Sequence, residues 1–381
     1  MSGSLHEETE NELPVSTDPL NEKDLEEIKE AILETDYFDH SAMAPLSAVS
    51  AAAIARLRTY KPPPFLHVWN NLPLSRRAAV LILLFADRRG DLRVVITMRA
   101  ATLRNYSGHA AFPGGKADSL EETPFEIARR EAWEEIGLPL DDSKIPKPFR
   151  IEHLCQLPFS LAKTALAVRP CVAFLHSDDK SGSPSANVGE SMIPRLDAKE
   201  VAAVFSAPFH NFLKKEDQLR PGDVSPGKRS DWYNGTWTEW HEGRWRLHHF
   251  YVPITNQKVA KPQVREGGQA AIAEALDEEE EAGLTRYKVW GMTGKILVDC
   301  ARIAYGEEPE FEVRPELTPE AAGDGWNLVD RCFQYDPQLG NESMIESLFN
   351  AGKLGEKIRG APDLTHADFK DAKAAANPAK I

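Results

Sequence analysis

Three glutamates, Glu131, Glu134 and Glu135, stand at i, i+3 and i+4 in the stretch Arg130-Glu131-Ala132-Trp133-Glu134-Glu135-Ile136-Gly137-Leu138. At about 100° per residue on an α-helix, they fall within an arc of about 100° on one face. Three carboxylates this close repel one another, so the face is costly unless cations neutralise it. A hard divalent cation such as Mg²⁺ takes carboxylate and carbonyl oxygens and keeps waters that a phosphate can replace. Most glutamates on a helix simply face solvent. What sets these apart is the Phe112-Pro113-Gly114-Gly115 turn upstream and the helix stop at Gly137. The matching chemistry is hydrolysis of a diphosphate anhydride, which needs neutralised phosphates, an activated water and a carboxylate to take its proton. One glutamate of the trio, or Glu200 downstream, is the expected base, although a lone glutamate opening a helix is more often structural. Glu126 lies off the metal face and is expected to be solvated.

These side chains need a scaffold. Thr123 to Ile136 has helical composition, with Gly137 as its C-terminal cap. Ala78 to Ala86 is a continuous apolar run of strand length, and Leu92 to Met98 is rich in β-branched residues. The Asp87-Arg88-Arg89-Gly90-Asp91 turn between them predicts a hairpin. Ala110-Ala111-Phe112 and Leu166 to Leu175 are further strands. Lys199 to Phe205 and Val289 to Ala304 read as helices or strand–helix transitions, and residues 176–197 and 214–231 as loops. A helical stretch from Ser47 to Leu57 runs into Pro62-Pro63-Pro64, which breaks it. Mixed strands and helices in this order predict an α/β (α+β) fold, a layered αβα domain around a mixed sheet.

The chain has 381 residues and a net charge of −14. Residues 1–46 hold thirteen acids against Lys23 and Lys29, and residues 256–285 hold seven against Lys258, Lys261 and Arg265. The rest is near neutrality. The expected organisation is an acidic leader (1–46) with one helix over Asn21 to Leu33, a helical and Pro-rich lead-in (47–75), a catalytic domain (76–330) with an acidic insert (256–285), and a C-terminal helical extension and tail (331–381). The bulk charge argues against long nucleic acid, and no uncharged apolar run is long enough to span a membrane. Cys155, Cys171, Cys300 and Cys332 are far apart and lack C-x-x-C spacing, which predicts reduced thiols. Between Ser75 and Ala110 stand seven arginines (76, 77, 88, 89, 93, 99 and 104) against Asp87 and Asp91, a local cationic approach to the carboxylates. Trp232, Tyr233, Trp237, Trp240 and Trp245 could stack a base, but aromatic pairs in a core explain them better.

Gly115, Glu122 and Arg130-Glu131-Ala132-x-Glu134-Glu135-x-Gly137-Leu138 resemble the Nudix box, G-x5-E-x7-R-E-U-x-E-E-x-G-U with U aliphatic. Six residues rather than five separate Gly115 from Glu122, an extension shared by the family's coenzyme A subgroup. That subgroup's upstream signature, L-L-T-x-R-[SA]-x3-R-x3-G-x3-F-P-G-G, is matched from Val95 to Gly115, with only Val95 and Ile96 in place of the two leucines. Phe112 to Asp118, with Ala128-Arg129-Arg130-Glu131, is most similar to the fungal peroxisomal coenzyme A diphosphatases.

The resemblance implies a Nudix αβα sandwich in which Glu131, Glu134, Glu135 and the Gly115 carbonyl hold Mg²⁺ or Mn²⁺, and Arg130 pairs with Glu122. It implies substrate contacts from Arg99, Arg104, His109, Gly114 and Gly115, the arginines being forked donors suited to phosphate. The implied reaction splits coenzyme A, or its acyl or oxidised forms, into 3′,5′-ADP and 4′-phosphopantetheine. Alternatives are a hydrolase of oxidised nucleotides such as 8-oxo-dGTP, or of ADP-ribose or NADH, and a catalytically silent nucleotide-binding module; the complete glutamate trio speaks against silence. Ala379-Lys380-Ile381 is a conservative variant of the Ser-Lys-Leu peroxisomal address, so the expected partner besides the small-molecule substrate is the peroxisomal import receptor, and the expected place is the peroxisome, otherwise the cytoplasm.

Overall fold

The computed structural model describes residues 45–62, 66–87, 89–100, 108–146, 149–162, 164–177, 200–218, 228–240, 243–254, 257, 259–261, 285–313, 349, 350 and 352–354. The leader helix, Arg88, Arg104, Cys332, most of the acidic insert, nearly all of the C-terminal extension and Ala379-Lys380-Ile381 lie outside the described residues.

The long apolar run becomes β1 (Arg77–Ala86), buried along nearly its whole length. It turns through Asp87–Asp91 into β2 (Leu92–Arg99), where Asp87 Oδ1 accepts the N–H groups of Arg89 and Asp91 at 2.8 and 2.9 Å. Strands β3 (Ala110–Ala111), β4 (Gly114–Lys116), β5 (Phe149–Gln156), β6 (Ser160–Leu161), β7 (Ala167–Ser177) and β8 (Val201–Pro208) complete an eight-stranded sheet. Its spine runs β3-β2-β1-β7-β5; β4 pairs with β1, β6 with β7 and β8 with β2. Only the β1–β7 pairing is parallel. The sheet is therefore mixed. Because β1 sits at its centre with covered faces, it reads as an unbroken hydrophobic run rather than an alternation.

Besides α1 (Ala48–Thr59) and the short α2 (Leu66–Asn71), the helices are α3 (Pro124–Ile136) and α4 (Gly291–Tyr305). Ala79, Leu81, Leu83 and Phe85 of β1 pack under α3, against Ile127, Ala128, Ala132 and Ile136. Burying each isoleucine there contributes roughly 1.5–3 kcal/mol. Ile82 and Leu84 point the other way, into a cluster shared with α1 and α4. The layered αβα arrangement thus follows from the period-2 alternation of one strand. Helix α1 is part of this core: Ala53, Ile54 and Leu57 are buried with Leu297 and Ala301 of α4, and Arg56 Nη1 donates to the Ala304 carbonyl at 3.3 Å.

One stretch departs from the sequence expectation, and another, Val289 to Ala304, is one of the expected strand–helix transitions. Of the stretch Lys199 to Phe205, Lys199 lies outside the described residues and the rest is not a helix; Val201–Pro208 is a strand in register with β2, Phe205 opposite Ile96. It is buried on both sides, so its apolar residues show no alternation, and the free edge of β2 decides the conformation. Val289 to Ala304 divides at Gly291 (φ 65°) into β11 (Arg286–Trp290) and α4. With β9 (Tyr233–Trp240) and β10 (Gly243–Pro253), β11 makes a second, three-stranded antiparallel sheet. Trp232 is fully buried against Phe212 and Phe250, and its Nε1–H donates to the Asn211 carbonyl at 2.9 Å. Trp232 and Tyr233 are thus core aromatics; the side chains of Trp240 and Trp245 lie outside the described ones. Cys155, Cys171 and Cys300 are buried and free. Among the described residues no helix is long and apolar enough to cross a membrane.

Candidate active site

Helix α3 is fixed at both ends by local chemistry. Thr123 Oγ1 accepts the Glu126 N–H at 3.3 Å, and Glu126 Oε2 accepts the Thr123 N–H at 2.8 Å, a capping box with Pro124 in the first turn. Glu126 is exposed, as expected, and also closes this cap; the Thr-x-x-Glu spacing ahead of an apolar run is the signal for that second role. At the other end Gly137 takes φ 72° and its N–H reaches the carbonyls of Ala132 and Trp133. The frame is rigid on each side of the glutamates.

Within that frame the three glutamates differ. Glu135 is only 3% exposed, and its Oε2 accepts the Gly114 N–H at 3.1 Å. Glu131 is half-buried, and Glu134 is exposed. Burial pushes Glu135 up to about 8 against the pull of the Gly114 N–H and Arg99, with smaller repulsions from Glu131 and Glu200 added. Burial pushes Glu131 up to about 6, opposed by Arg130 and assisted by Glu134. Two carboxyls held this way are short of positive charge.

The glycine turn closes on them. Strand β4 lies on β1 with Val80 opposite Gly114 and Ala79 opposite Gly115. A Cβ at Gly115 would collide with the Glu131 carboxylate, so the chain at this point must lack a side chain for that carboxylate to lie where it does. Arg130 ties the loop to the helix. Its Nε donates to Glu122 Oε1 at 2.8 Å and its Nη2 to the Lys116 carbonyl at 2.8 Å, while Nη1 reaches Glu131 and Glu134 at 3.2 and 3.3 Å. Burial opposes the charge of Arg130, but Glu122, Glu131 and Asp118 outweigh it and hold the guanidinium above its ordinary range.

The cationic approach is smaller than its arginine count. Arg93 is buried and spends its guanidinium on Ser206, at 2.8 Å to the hydroxyl and 3.1 Å to the carbonyl. Arg77 donates to the carbonyls of Leu72, Leu120 and Asn70, and Arg76 to that of Ala165. Arg99, at the end of β2, reaches the site: its Nη1 lies 4.0 Å from Glu135 Oε1. His109 accepts the Arg99 N–H at its carbonyl (3.0 Å) and sets its ring 4.9 Å from that of Trp290. Burial, with help from Lys288 and Arg99, lowers its imidazole below the ordinary value, so it stands neutral near pH 7. Gly114 offers its N–H to Glu135 rather than outward. Glu200 lies immediately before strand β8, not at the start of a helix, and its charge reaches both Glu131 and Glu135. The sequence offered it as a candidate base, and the β2–β8 pairing is what brings it within electrostatic reach of them.

Carboxylates and a backbone carbonyl are donors suited to a hard divalent cation, and the glycine cradle over Glu131 leaves its carboxylate unobstructed by a Cβ. Among the described residues no three His, Cys, Asp or Glu side chains are drawn together as a complete cluster. Mg²⁺ is commonly held by one or two carboxylates while substrate phosphates and waters supply the rest. Glu131, Glu135 and the Gly115 carbonyl would hold the ion, with Glu134 at the exposed edge; the ion would supply charge neutralisation of the diphosphate and activation of water.

Known proteins carry the same arrangement of sequence. The NUDIX domain profile matches residues 75–226. The chain is 32% identical over 249 residues to Peroxisomal coenzyme A diphosphatase 1, peroxisomal, of Saccharomyces cerevisiae, covering 61% of this chain and 71% of that one. It is 31% identical over 284 residues to Nudix hydrolase 22, chloroplastic, of Arabidopsis thaliana, covering 74% and 70%. Similarity of this extent reaches well past the glutamate helix on both sides, and the chain belongs to the Nudix hydrolase family.

Proposed function

We propose that this chain hydrolyses the diphosphate bond of coenzyme A, or of its acyl or oxidised forms, to 3′,5′-ADP and the corresponding 4′-phosphopantetheine. The observation that carries the proposal is the pairing of buried Glu135 with half-buried Glu131, Arg99 beside them, read with the identity to a yeast protein named for coenzyme A. Glu131 and Glu135, with Glu134 at the edge, would hold Mg²⁺ or Mn²⁺, which would supply charge neutralisation of the diphosphate. Arg99 orients a phosphate oxygen with its planar fork. Arg130 keeps the Gly115–Glu122 loop seated over the helix through Glu122. The base is a carboxylate, and Glu200 competes with the trio for that role because its charge is felt by both Glu131 and Glu135.

Purified full-length protein with Mg²⁺, offered coenzyme A, oxidised coenzyme A, 8-oxo-dGTP and ADP-ribose in parallel, is expected to show its highest kcat/KM on a coenzyme A species. Preference for the nucleoside triphosphate or ADP-ribose would move the substrate class, and no turnover of any would remove the enzyme reading.

The proposal extends to the peroxisome. The yeast relative's name places that protein there, and Ala379-Lys380-Ile381 is the feature of this chain that supports the same address. A fluorescent protein fused ahead of Met1 is expected to co-localise with a peroxisomal marker and to become cytosolic when residues 379–381 are deleted; unchanged distribution would sink the address.

A further inference from the structure

The surface that begins at Glu135 and Arg99 continues onto the small sheet. Along β11, Tyr287 and Val289 are buried, while Lys288, between them, is exposed and Trp290, next in line, is half-buried. One face of this sheet is thus turned away from the core. The Trp290 ring lies 4.9 Å from that of His109 and 5.7 Å from that of His249, nearly parallel to the latter at 18°. Lys288 Nζ stands 5.0 Å from the Trp290 ring centroid and 5.9 Å from that of Tyr251. No acidic side chain pairs with Lys288 among the described residues.

This patch is joined to the carboxylates by short steps. Arg99 Nη1 is 4.0 Å from Glu135, the Arg99 N–H bonds the His109 carbonyl at 3.0 Å, and His109 touches Trp290. Thr293 Oγ1, at the start of α4, donates to the Ala110 carbonyl at 3.1 Å, which fixes the small sheet against the strand that leads into the glycine turn. These contacts lead from Glu135 through Arg99 and His109 to Trp290, with Lys288 beside its ring. Lys288 and Trp290 both lie outside residues 75–226, the part matched by the domain profile.

We propose that Trp290 and Lys288 form the subsite for the nucleoside end of the substrate, with the purine lying against Trp290 and a phosphate on the ribose meeting Lys288. The inference deepens the coenzyme A reading above and rests on it. The two arms that leave the diphosphate of that substrate differ in charge: the pantetheine arm is neutral and flexible, whereas the nucleoside arm is a flat aromatic base beside a phosphate dianion. An indole with a lone ammonium next to it complements only the second. Base–aromatic stacking and a charge-assisted contact to phosphate are each strong enough to be read in affinity. Arg99, being next to Glu135, serves the diphosphate, which leaves Lys288 for the more distant phosphate.

Titration calorimetry of the full chain with 3′,5′-ADP and with AMP tests this without requiring turnover. The parent protein is expected to bind 3′,5′-ADP more tightly than AMP. Lys288→Ala is expected to cut that preference about tenfold and Lys288→Arg to keep most of it, while Trp290→Ala weakens both nucleotides about tenfold. Equal affinity of the parent for the two nucleotides, or a parent-like preference in Lys288→Ala, overturns the assignment. A Lys288-dependent preference in a protein that does not hydrolyse coenzyme A would uphold the subsite and remove the hydrolase reading, so the two failures are distinct.

Discussion

Glu135→Gln lowers hydrolysis at least about 1000-fold and leaves the fold intact. A carboxylate that holds the metal, or takes the proton, contributes on the order of 10²–10⁴ by proton transfer alone and more through the cation. The amide that replaces it is neutral and a poor ligand. It remains the same size and can still accept the Gly114 N–H that Glu135 Oε2 accepts at 3.1 Å, so no buried donor is orphaned. The same variant changes the pH dependence of metal-free stability. The carboxyl of Glu135 is pushed from 4.5 up to about 8 in the fold, so the folded state holds a proton that the unfolded chain gives up near 4.5. Stability is therefore full below about pH 4.5 and is lost as the pH rises through about 8. In EDTA the parent's melting temperature should fall between pH 5 and pH 8, and that of Glu135→Gln should fall less; steady-state rates with Mg²⁺ and melts followed by circular dichroism read the two effects. Near-parental rates would remove Glu135 from the site.

Gly114→Ala unfolds the protein at a temperature lower by several degrees, and Gly115→Ala does not. At Gly114, φ is 155°, and an added Cβ would run into the Ala79 carbonyl and lie 2.6 Å from Val80 Cα. Both obstacles are backbone of β1, the strand at the centre of the sheet, and neither can yield without breaking the pairing of β4. Overpacking against a fixed wall costs on the order of 1–3 kcal/mol, which for a domain of this size is roughly 2–4 °C per kcal/mol. At Gly115 the obstacle is the end of the Glu131 side chain, which can swing aside. That substitution leaves stability largely intact and lowers kcat, because the displaced carboxylate no longer lies at the metal face. Melting temperature and kcat measured on both variants separate the roles; equal melting temperatures would refute the packing argument.

Some of the site is legible because its causes are local. The Thr123 cap, the helix, the Gly137 stop and the i, i+3, i+4 glutamates all lie within a few turns of one another, where spacing fixes geometry. The β1–β2 hairpin is legible for the same reason, since a long apolar run, a turn rich in Asp and Gly and a β-branched run leave little choice. Charge partition along the chain also belongs to the sequence, which separates an acidic leader and insert from a near-neutral remainder.

Tertiary structure decided the rest. Equal in sequence, the three glutamates are unequal in the fold: the sheet under α3 buries Glu135 and leaves Glu134 exposed. By charge alone the seven arginines were equivalent, and only the family signature marked Arg99 and Arg104; among the described ones, strand pairing buries Arg93 on Ser206, backbone carbonyls engage Arg77, and the position of Arg99 at the end of β2 brings it to Glu135. The strand at 201–208 carries no alternation because it is covered on both sides, and Glu200 reaches the carboxylates only through that strand's pairing with β2. Trp290 and Lys288 stand some 150 residues beyond the glutamates. Short-range spacing determines which groups share a helix face; which of them are buried, paired or brought to a common site depends on contacts between segments far apart in the chain, and those are set only when the sheets close.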